Sequence, residues 1–157
     1  NRIAIEQAIA DLGYSVNNMA RGLKTSRSMT VGVLIPDLEN VFITSIIKCR
    51  PPENRIPGRD EISACAGYLD RQIELLLPEI IIPMGRLASE QVFSRFRIPH
   101  GPIGSIHGKI IFTRTSRDQH IVIIPVYHPA AVTHNPRLKD VIFDDFRIIG
   151  TLIRKSE

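Results

Sequence analysis

Cysteine is scarce in this chain of 157 residues, which has only Cys49 and Cys65. Two cysteines, without a secretion signal, do not indicate a disulfide-stabilised extracellular fold. Long apolar runs are also lacking, because none reaches the roughly 20 residues that span a bilayer. We therefore expect a cytoplasmic protein with no membrane contact. On composition alone, its two cysteines are expected to be free thiols.

An excess of acidic residues is likewise absent. The chain carries 20 Lys and Arg against 16 Asp and Glu, a net charge of +4. This balance is compatible with a polyanionic partner, although many basic proteins bind no nucleic acid. The hydrophobic fraction of 43% is ordinary for a globular protein, and the length is enough for one domain with a core.

The hydrophobic spacing predicts strands that alternate with helices, and hence an α/β sheet with helices on both faces. Residues 42–48 fit a strand or a helix equally well. The predicted strands are 30–35, 79–83, 109–113 and 120–126. The predicted helices are 2–13, 16–24, 60–77, 86–96 and 137–154, with 127–136 as a loop. The last helix is expected to turn Leu138, Ile142, Phe146, Ile149 and Ile153 inward.

One motif joins a rare loop to the helix that carries the second cysteine. Residues 48–58 read KCRPPENRIPG, and Cys65 follows on the predicted helix. This stretch resembles the middle of the family 4 (iron–sulfur) uracil-DNA glycosylases. The resemblance implies that Cys49 and Cys65 are ligands of a [4Fe–4S] cluster. Such a cluster needs four thiolates, of which this chain has two.

A second motif, His128-Pro129-Ala130-Ala131, follows the apolar strand 120–126. It is similar to an active-site motif of the same family, which implies that His128 is the catalytic histidine. A donor aimed at the uracil O2 would stabilise the departing uracil anion. The resemblance also implies that the loop Pro129, Ala130, Ala131 and Val132 enters the gap left by a flipped-out nucleotide, with Arg137 near phosphate. The sequence Met84-Gly85-Arg86 matches a family turn in which glycine permits close backbone approach.

Two positions depart from that family pattern. Ser45 stands where the family has an asparagine that recognises the uracil edge, and one hydroxyl cannot reproduce the paired donor and acceptor of an amide. The family's first active-site motif, an acidic glycine-rich loop, has no equivalent before residue 41. His107-Gly108 stands where the family often has Arg-Gly, so we expect a shared turn there without a catalytic role.

The first forty residues resemble a different family. The segments AIADLGY, NNMARGL and VGVLIPD are similar to the third helix of the DNA-binding head, the hinge helix and the first effector-domain strand of lactose-repressor-family regulators. In that family the leucine at the position of Leu23 enters the minor groove. An ordinary apolar role for Leu23 is the alternative, because the helix-turn-helix is missing.

These resemblances together predict a chimera. Residues 1–40 are expected to be a repressor-like helix, hinge and first strand. Residues 41–157 are expected to be the C-terminal part of a uracil-DNA glycosylase domain, a three-layer α/β/α fold with a short parallel sheet, incomplete on its N-terminal side. The implied function is removal of uracil from DNA in base-excision repair. The alternatives are a DNA-binding regulator fragment that depends on Arg21 and Leu23, and a folded inactive chimera.

Overall fold

A computed structural model describes residues 30–34 and 41–156 of the chain. The predicted helices 2–13 and 16–24 therefore lie outside the described residues. The strands are β1 (Thr30–Leu34), β2 (Val41–Ser45), β3 (Ile80–Pro83), β4 (Ile111–Arg114) and β5 (His120–Ile123). The helices are α1 (Arg59–Leu76), α2 (Arg86–Arg95), α3 (Ile103–Ile106), α4 (Ala131–His134) and α5 (Leu138–Ser156), with a 3-10 turn at Pro52–Asn54.

The predicted helix 60–77 is confirmed as α1. It buries Cys65, Leu69 and Ile73, which recur at helical spacing on one face. The helix begins after Gly58, whose N–H donates to the Glu61 carboxylate at 2.7 Å. It ends at Leu77, which has a left-handed φ of 46°, and Pro78 prevents its continuation.

The five strands form one sheet in the order β2-β1-β3-β5-β4. The central pair β3–β5 is parallel, whereas β1 runs antiparallel to both of its neighbours and β4 runs antiparallel to β5. The expected α/β class is confirmed, and the sheet is mixed rather than wholly parallel. The predicted division between residues 40 and 41 stays a prediction. The strand on its N-terminal side, β1, pairs within the same sheet as the rest of the chain.

Helices cover both faces of this sheet. On one face Ile81, Ile121 and Ile123 pack against the buried side chains of α1 and α2. On the other face Ile82 and Ile124 pack against α5. Because successive side chains of a strand point to opposite faces, one continuous apolar strand such as β3 serves both cores. This arrangement is the three-layer α/β/α packing that the sequence predicts.

The ambiguous segment 42–48 is strand β2 followed by two buried isoleucines, Ile46 and Ile47. The expectation for Phe146 is wrong: it is 38% exposed, while the neighbouring Asp145 is buried at 3%. Apolar spacing alone places the phenyl group of Phe146 inward rather than the carboxylate of Asp145. The hydrogen-bond partner of Asp145 is His107, which lies 38 residues earlier in the chain. Within the described part of the chain, no helix is both long and apolar enough to cross a membrane.

Replacement of Ile123 by alanine tests the central position of β5. The side chain is fully buried on the face of the sheet that α1 and α2 cover. We expect Ile123→Ala to lower the free energy of unfolding by about 2–5 kcal/mol, through lost burial and the resulting cavity. Urea unfolding measures this change, with Leu75→Ala as the control because Leu75 is 72% exposed. Equal unfolding midpoints for the two variants would contradict the assignment of Ile123 to the core.

Candidate functional site

The candidate site lies where the parallel strands β3 and β5 end together. Beyond the last residue of each strand, Met84 still pairs with Val126, and the Gly85 N–H donates to the Val126 carbonyl at 2.8 Å. The predicted site residue His128 follows two residues later. The carboxyl ends of parallel strands are the usual place for ligands in open α/β sheets.

Gly85 provides the surface on which His128 rests. Its φ is +86°, and a Cβ built at this position would lie 3.0 Å from the Cβ of His128. The Gly85 carbonyl in turn accepts hydrogen bonds from the backbone N–H and the hydroxyl of Ser89, at 3.0 and 2.9 Å. The close approach predicted for glycine at this turn is therefore confirmed, because a larger residue would displace the histidine.

A backbone hydrogen bond fixes the chemistry of the His128 ring. The Ala130 N–H donates to Nδ1 of His128 at 3.0 Å. Because Nδ1 accepts this bond, it carries no proton, and in the neutral imidazole Nε2 is then the N–H donor. His128 is thus held as a neutral ring with its hydrogen-bond donor at Nε2.

The loop after His128 is compact. It contains the helical turn α4, closed by hydrogen bonds from Ala131 N–H to the His128 carbonyl (2.8 Å) and from Asn135 N–H to the Ala131 carbonyl (2.9 Å). Of the positions predicted to enter DNA, Ala130 is 6% exposed and packs inward, whereas Pro129, Ala131 and Val132 are half-buried. Arg137 is exposed, and its backbone N–H is held by the Asn135 side chain at 3.2 Å.

Ser45 lies at the same end of the sheet as His128. Strand β2 runs in the direction of β3 because both are antiparallel to β1. With the strand order β2-β1-β3-β5, three strand spacings, roughly 14 Å, separate the chain at Ser45 from β5. The Ser45 carbonyl accepts a hydrogen bond from the Lys48 ammonium at 2.7 Å. Partial burial lowers the pKa of Lys48, and the nearby Cys65 thiol partly offsets that effect.

The strand β1 runs in the direction opposite to β3 and β5. Thr30 pairs with Ser45 and Val31 with Pro83, so β1 begins at the His128 end and finishes at the opposite end. The strands β3 and β5 instead finish at the His128 end, where Gly85 and His128 follow them.

The two cysteines lie in different environments. Cys49 is exposed, whereas Cys65 is buried on α1 and its Sγ accepts a hydrogen bond from the Lys48 N–H at 3.4 Å. Among the described residues there is no group of three or more His, Cys, Asp or Glu that could hold a metal ion. The whole chain has two thiols, so its own residues do not fit a four-thiolate cluster.

A pair that the sequence did not assign to the site lies beside it. His107 Nδ1 is 3.0 Å from both carboxylate oxygens of Asp145, and the His107 ring packs 4.7 Å from the ring of Tyr127. His107 and Asp145 are 38 residues apart. The sequence feature at this pair is His107-Gly108, for which the family resemblance predicts a shared turn without a catalytic role.

A groove of about 740 Å³ lies between α1, the end of α2 and the β4–β5 turn. Arg95, Arg97, Arg114 and Arg117 are among its lining residues, and His128 is not. Arg95 and Arg114 are paired with Asp70 and Asp118. This groove is thus separate from the His128 site.

Comparisons with known proteins bear on the same region. Residues 9–147 match the uracil DNA glycosylase superfamily. The chain is 39% identical over 129 residues to the type-4 uracil-DNA glycosylase of Sulfurisphaera tokodaii, covering 82% of this chain and 58% of the relative. It is 45% identical over 109 residues to the type-4 uracil-DNA glycosylase of Saccharolobus solfataricus, covering 69% and 50%. The chain thus spans between 50% and 58% of the length of these two relatives.

A shorter similarity connects the chain to a different class of protein. A stretch of 41 residues is 49% identical to the HTH-type transcriptional regulator RegA of Clostridium saccharobutylicum. It covers 26% of this chain and 12% of the regulator.

Replacement of Gly85 by alanine tests the contact beneath His128. We expect Gly85→Ala to destabilise the fold by about 1–3 kcal/mol, since alanine is strained at positive φ and its methyl group would meet His128. Gly67→Ala is the matched control, because Gly67 lies within helix α1 and a Cβ there meets nothing within 4 Å. The control should be stabilised by about 0.5–1 kcal/mol. Thermal unfolding of both variants measures the difference, and a gain in stability at Gly85 would contradict the contact.

Proposed function

Because the chain belongs to the uracil DNA glycosylase superfamily, we propose that it hydrolyses the bond between uracil and deoxyribose in DNA. The observation that supports this proposal best is the hydrogen bond from the Ala130 N–H to Nδ1 of His128. It prepares a neutral donor at the end of a buried strand, which is the group that the reaction requires at its leaving base.

The reaction places negative charge on the departing uracil and positive charge on the sugar. A fixed N–H aimed at the uracil O2 stabilises the anion as it forms, without reorganisation of solvent. In this chain Nε2 of His128 takes that role. A neutral imidazole serves it without transferring a proton, so the uracil leaves as an anion. Water then adds to the sugar carbon, and the proton that this water releases neutralises the uracil anion through the solvent.

The loop after His128 has a second role, which is to hold the duplex open once the nucleotide has been extracted. Flipping a base out of DNA costs a few kcal/mol of stacking and pairing, and an apolar wedge in the gap offsets this cost. Pro129, Ala131 and Val132 present apolar surface for this purpose, while the buried Ala130 supports them from within. Arg137, exposed at the end of the loop, contacts phosphate.

Recognition of the uracil edge is weaker than the family pattern implies. Ser45 offers one hydroxyl where an amide would offer a donor and an acceptor, and a polar pocket discriminates less well when one partner is missing. We therefore assign Ser45 to the uracil-facing end of β2 as a partial substitute. The [4Fe–4S] cluster implied by the type-4 relatives is not part of the proposed reaction, because Cys49 and Cys65 do not complete its ligand set.

A regulator-like DNA contact is the second candidate function, and the similarity to an HTH-type regulator favours it. In this proposal the chain is a chimera, and Arg21 and Leu23 of its first forty residues bind DNA. Those residues lie outside the described part of the chain. The two candidates differ in the residues on which binding and chemistry depend.

Uracil excision tests the lead candidate. Purified protein is incubated with uracil-containing single- and double-stranded DNA, and abasic sites are counted after alkaline cleavage. We expect His128→Ala to reduce the rate by about 10²–10³-fold, as loss of one oxyanion donor does elsewhere. His120→Ala is the matched control on the exposed start of β5 and should retain the wild-type rate.

Two results would contradict the lead candidate: wild-type excision no faster than that of His128→Ala, or excision of thymine at an equal rate. DNA binding that survives His128→Ala and is lost in Arg21→Ala with Leu23→Ala would instead support the regulator candidate.

The absence of a complete ligand set generates a separate prediction. We expect the chain, purified anaerobically, to lack the broad visible absorption of an iron–sulfur cluster and to contain no stoichiometric iron. Cys49→Ser and Cys65→Ser should then leave the absorption spectrum and any excision activity unchanged. A brown preparation with about four iron atoms per chain, lost in either variant, would show that ligands from elsewhere complete the site.

A further inference from the structure

Three parts of the chain meet beside the segment that leads from β5 to His128. His107 ends the short helix α3, Asp145 lies on the inner face of α5, and Tyr127 immediately precedes His128. The Nδ1 of His107 lies 3.0 Å from each Asp145 carboxylate oxygen, and the His107 and Tyr127 rings are 4.7 Å apart at a 43° angle. These contacts join α5 to the residue next to the candidate catalytic histidine.

The Asp145 carboxylate needs its partner because it is buried. Its side chain is 5% exposed, and a buried carboxylate is costly unless it is hydrogen-bonded. Within the described ranges, His107 is its hydrogen-bond partner. Nδ1 of His107 is therefore the donor, and its tautomer is opposite to that of His128, whose Nδ1 accepts.

The turn at Gly108 fits closely around this pair. Gly108 has a φ of +67°, and a Cβ there would lie 2.4 Å from Oδ1 of Asp145. Its N–H donates to the Pro125 carbonyl at 2.8 Å, which attaches the turn to the same strand end that continues into Tyr127. Only glycine combines this backbone conformation with space for the carboxylate.

Tyr127 is held from two directions. The His107 ring packs against the Tyr127 ring. The backbone of α3 is also close, since a Cβ on Gly104 would lie 3.1 Å from the Tyr127 hydroxyl. A ring enclosed in this way limits the backbone angles available at residue 127. The peptide that follows carries the His128 ring, so its direction depends on the same enclosure.

We propose that His107, anchored by Asp145, is a positioning residue that orients the His128 imidazole through Tyr127. The proposal rests on the proposed function for the catalytic role of His128, while the structural coupling itself does not depend on activity. Misplacement of a catalytic group by about 1 Å can cost up to 10²-fold in rate. The effect should fall on the chemical step, because neither His107 nor Asp145 is placed where DNA is proposed to bind.

The experiment compares four variants of the full chain. His107→Leu removes the donor, whereas His107→Asn keeps an N–H that can reach Asp145. Tyr127→Leu breaks the link while leaving the His107–Asp145 pair intact, and the double variant His107→Leu with Tyr127→Leu closes the cycle. His120→Leu is the matched control for loss of a histidine elsewhere in the sheet.

Two readouts are taken from each variant. Excision kinetics give kcat and KM separately, and ¹⁵N spectra of the imidazole nitrogens report the tautomer of His128 with no need for activity. We expect kcat to fall about tenfold in His107→Leu with KM within about twofold, and His107→Asn to recover most of it. A displaced His128 ring no longer accepts the Ala130 N–H at Nδ1, so it should change from one tautomer to a mixture. The double variant should be no worse than either single variant.

The outcomes separate the two proposals. If wild-type protein excises no uracil, the proposed function fails, and the ¹⁵N spectra still decide the positioning role. An unchanged His128 tautomer in folded His107→Leu overturns the positioning role, as does an additive double variant. If His107→Leu does not fold, Tyr127→Leu against His120→Leu gives the same decision.

Discussion

The parallel pairing of β3 with β5 is the constraint on which the rest of the site depends. Because the two strands run in the same direction, both finish at the same end of the sheet, where Met84 pairs with Val126. This pairing places Gly85 beneath His128 and brings the Ala130 N–H within reach of the His128 ring. An offset of one residue would turn every side chain of the strand to the opposite face and remove both contacts.

The strand β1 completes the backbone pairing of the sheet, but it begins rather than ends at the His128 end. Its backbone pairs with β2 on one side and β3 on the other, so the central sheet has no unpaired edge at that position. Backbone hydrogen bonding is largely indifferent to strand direction, but loop placement is not. The parallel strands β3 and β5, by contrast, both finish at the His128 end.

Much of the fold could be predicted from local spacing. The buried face of α1, the continuous apolar run of β3 and the close approach at Gly85 all follow from the order of residues along the chain. The direction of β1 could not be predicted in this way, since it depends on pairing between segments that are far apart. The burial of Asp145 instead of Phe146 could not be predicted for the same reason. Apolar spacing places Phe146 inward, whereas Asp145 is buried because it bonds to His107, 38 residues earlier.

The two site histidines differ in what their neighbours require of them. A backbone N–H donates to His128 and leaves the ring neutral with a donor at Nε2, while a buried carboxylate accepts from His107. In the proposed reaction, a neutral donor stabilises the departing uracil anion only when its direction is fixed before the bond breaks, since its stabilisation does not reach far. The packing around Tyr127 and Gly85 therefore matters as much as the presence of the imidazole. A chain that retained His128 but lost these supports would keep the motif and lose the preorganisation that the proposed reaction needs.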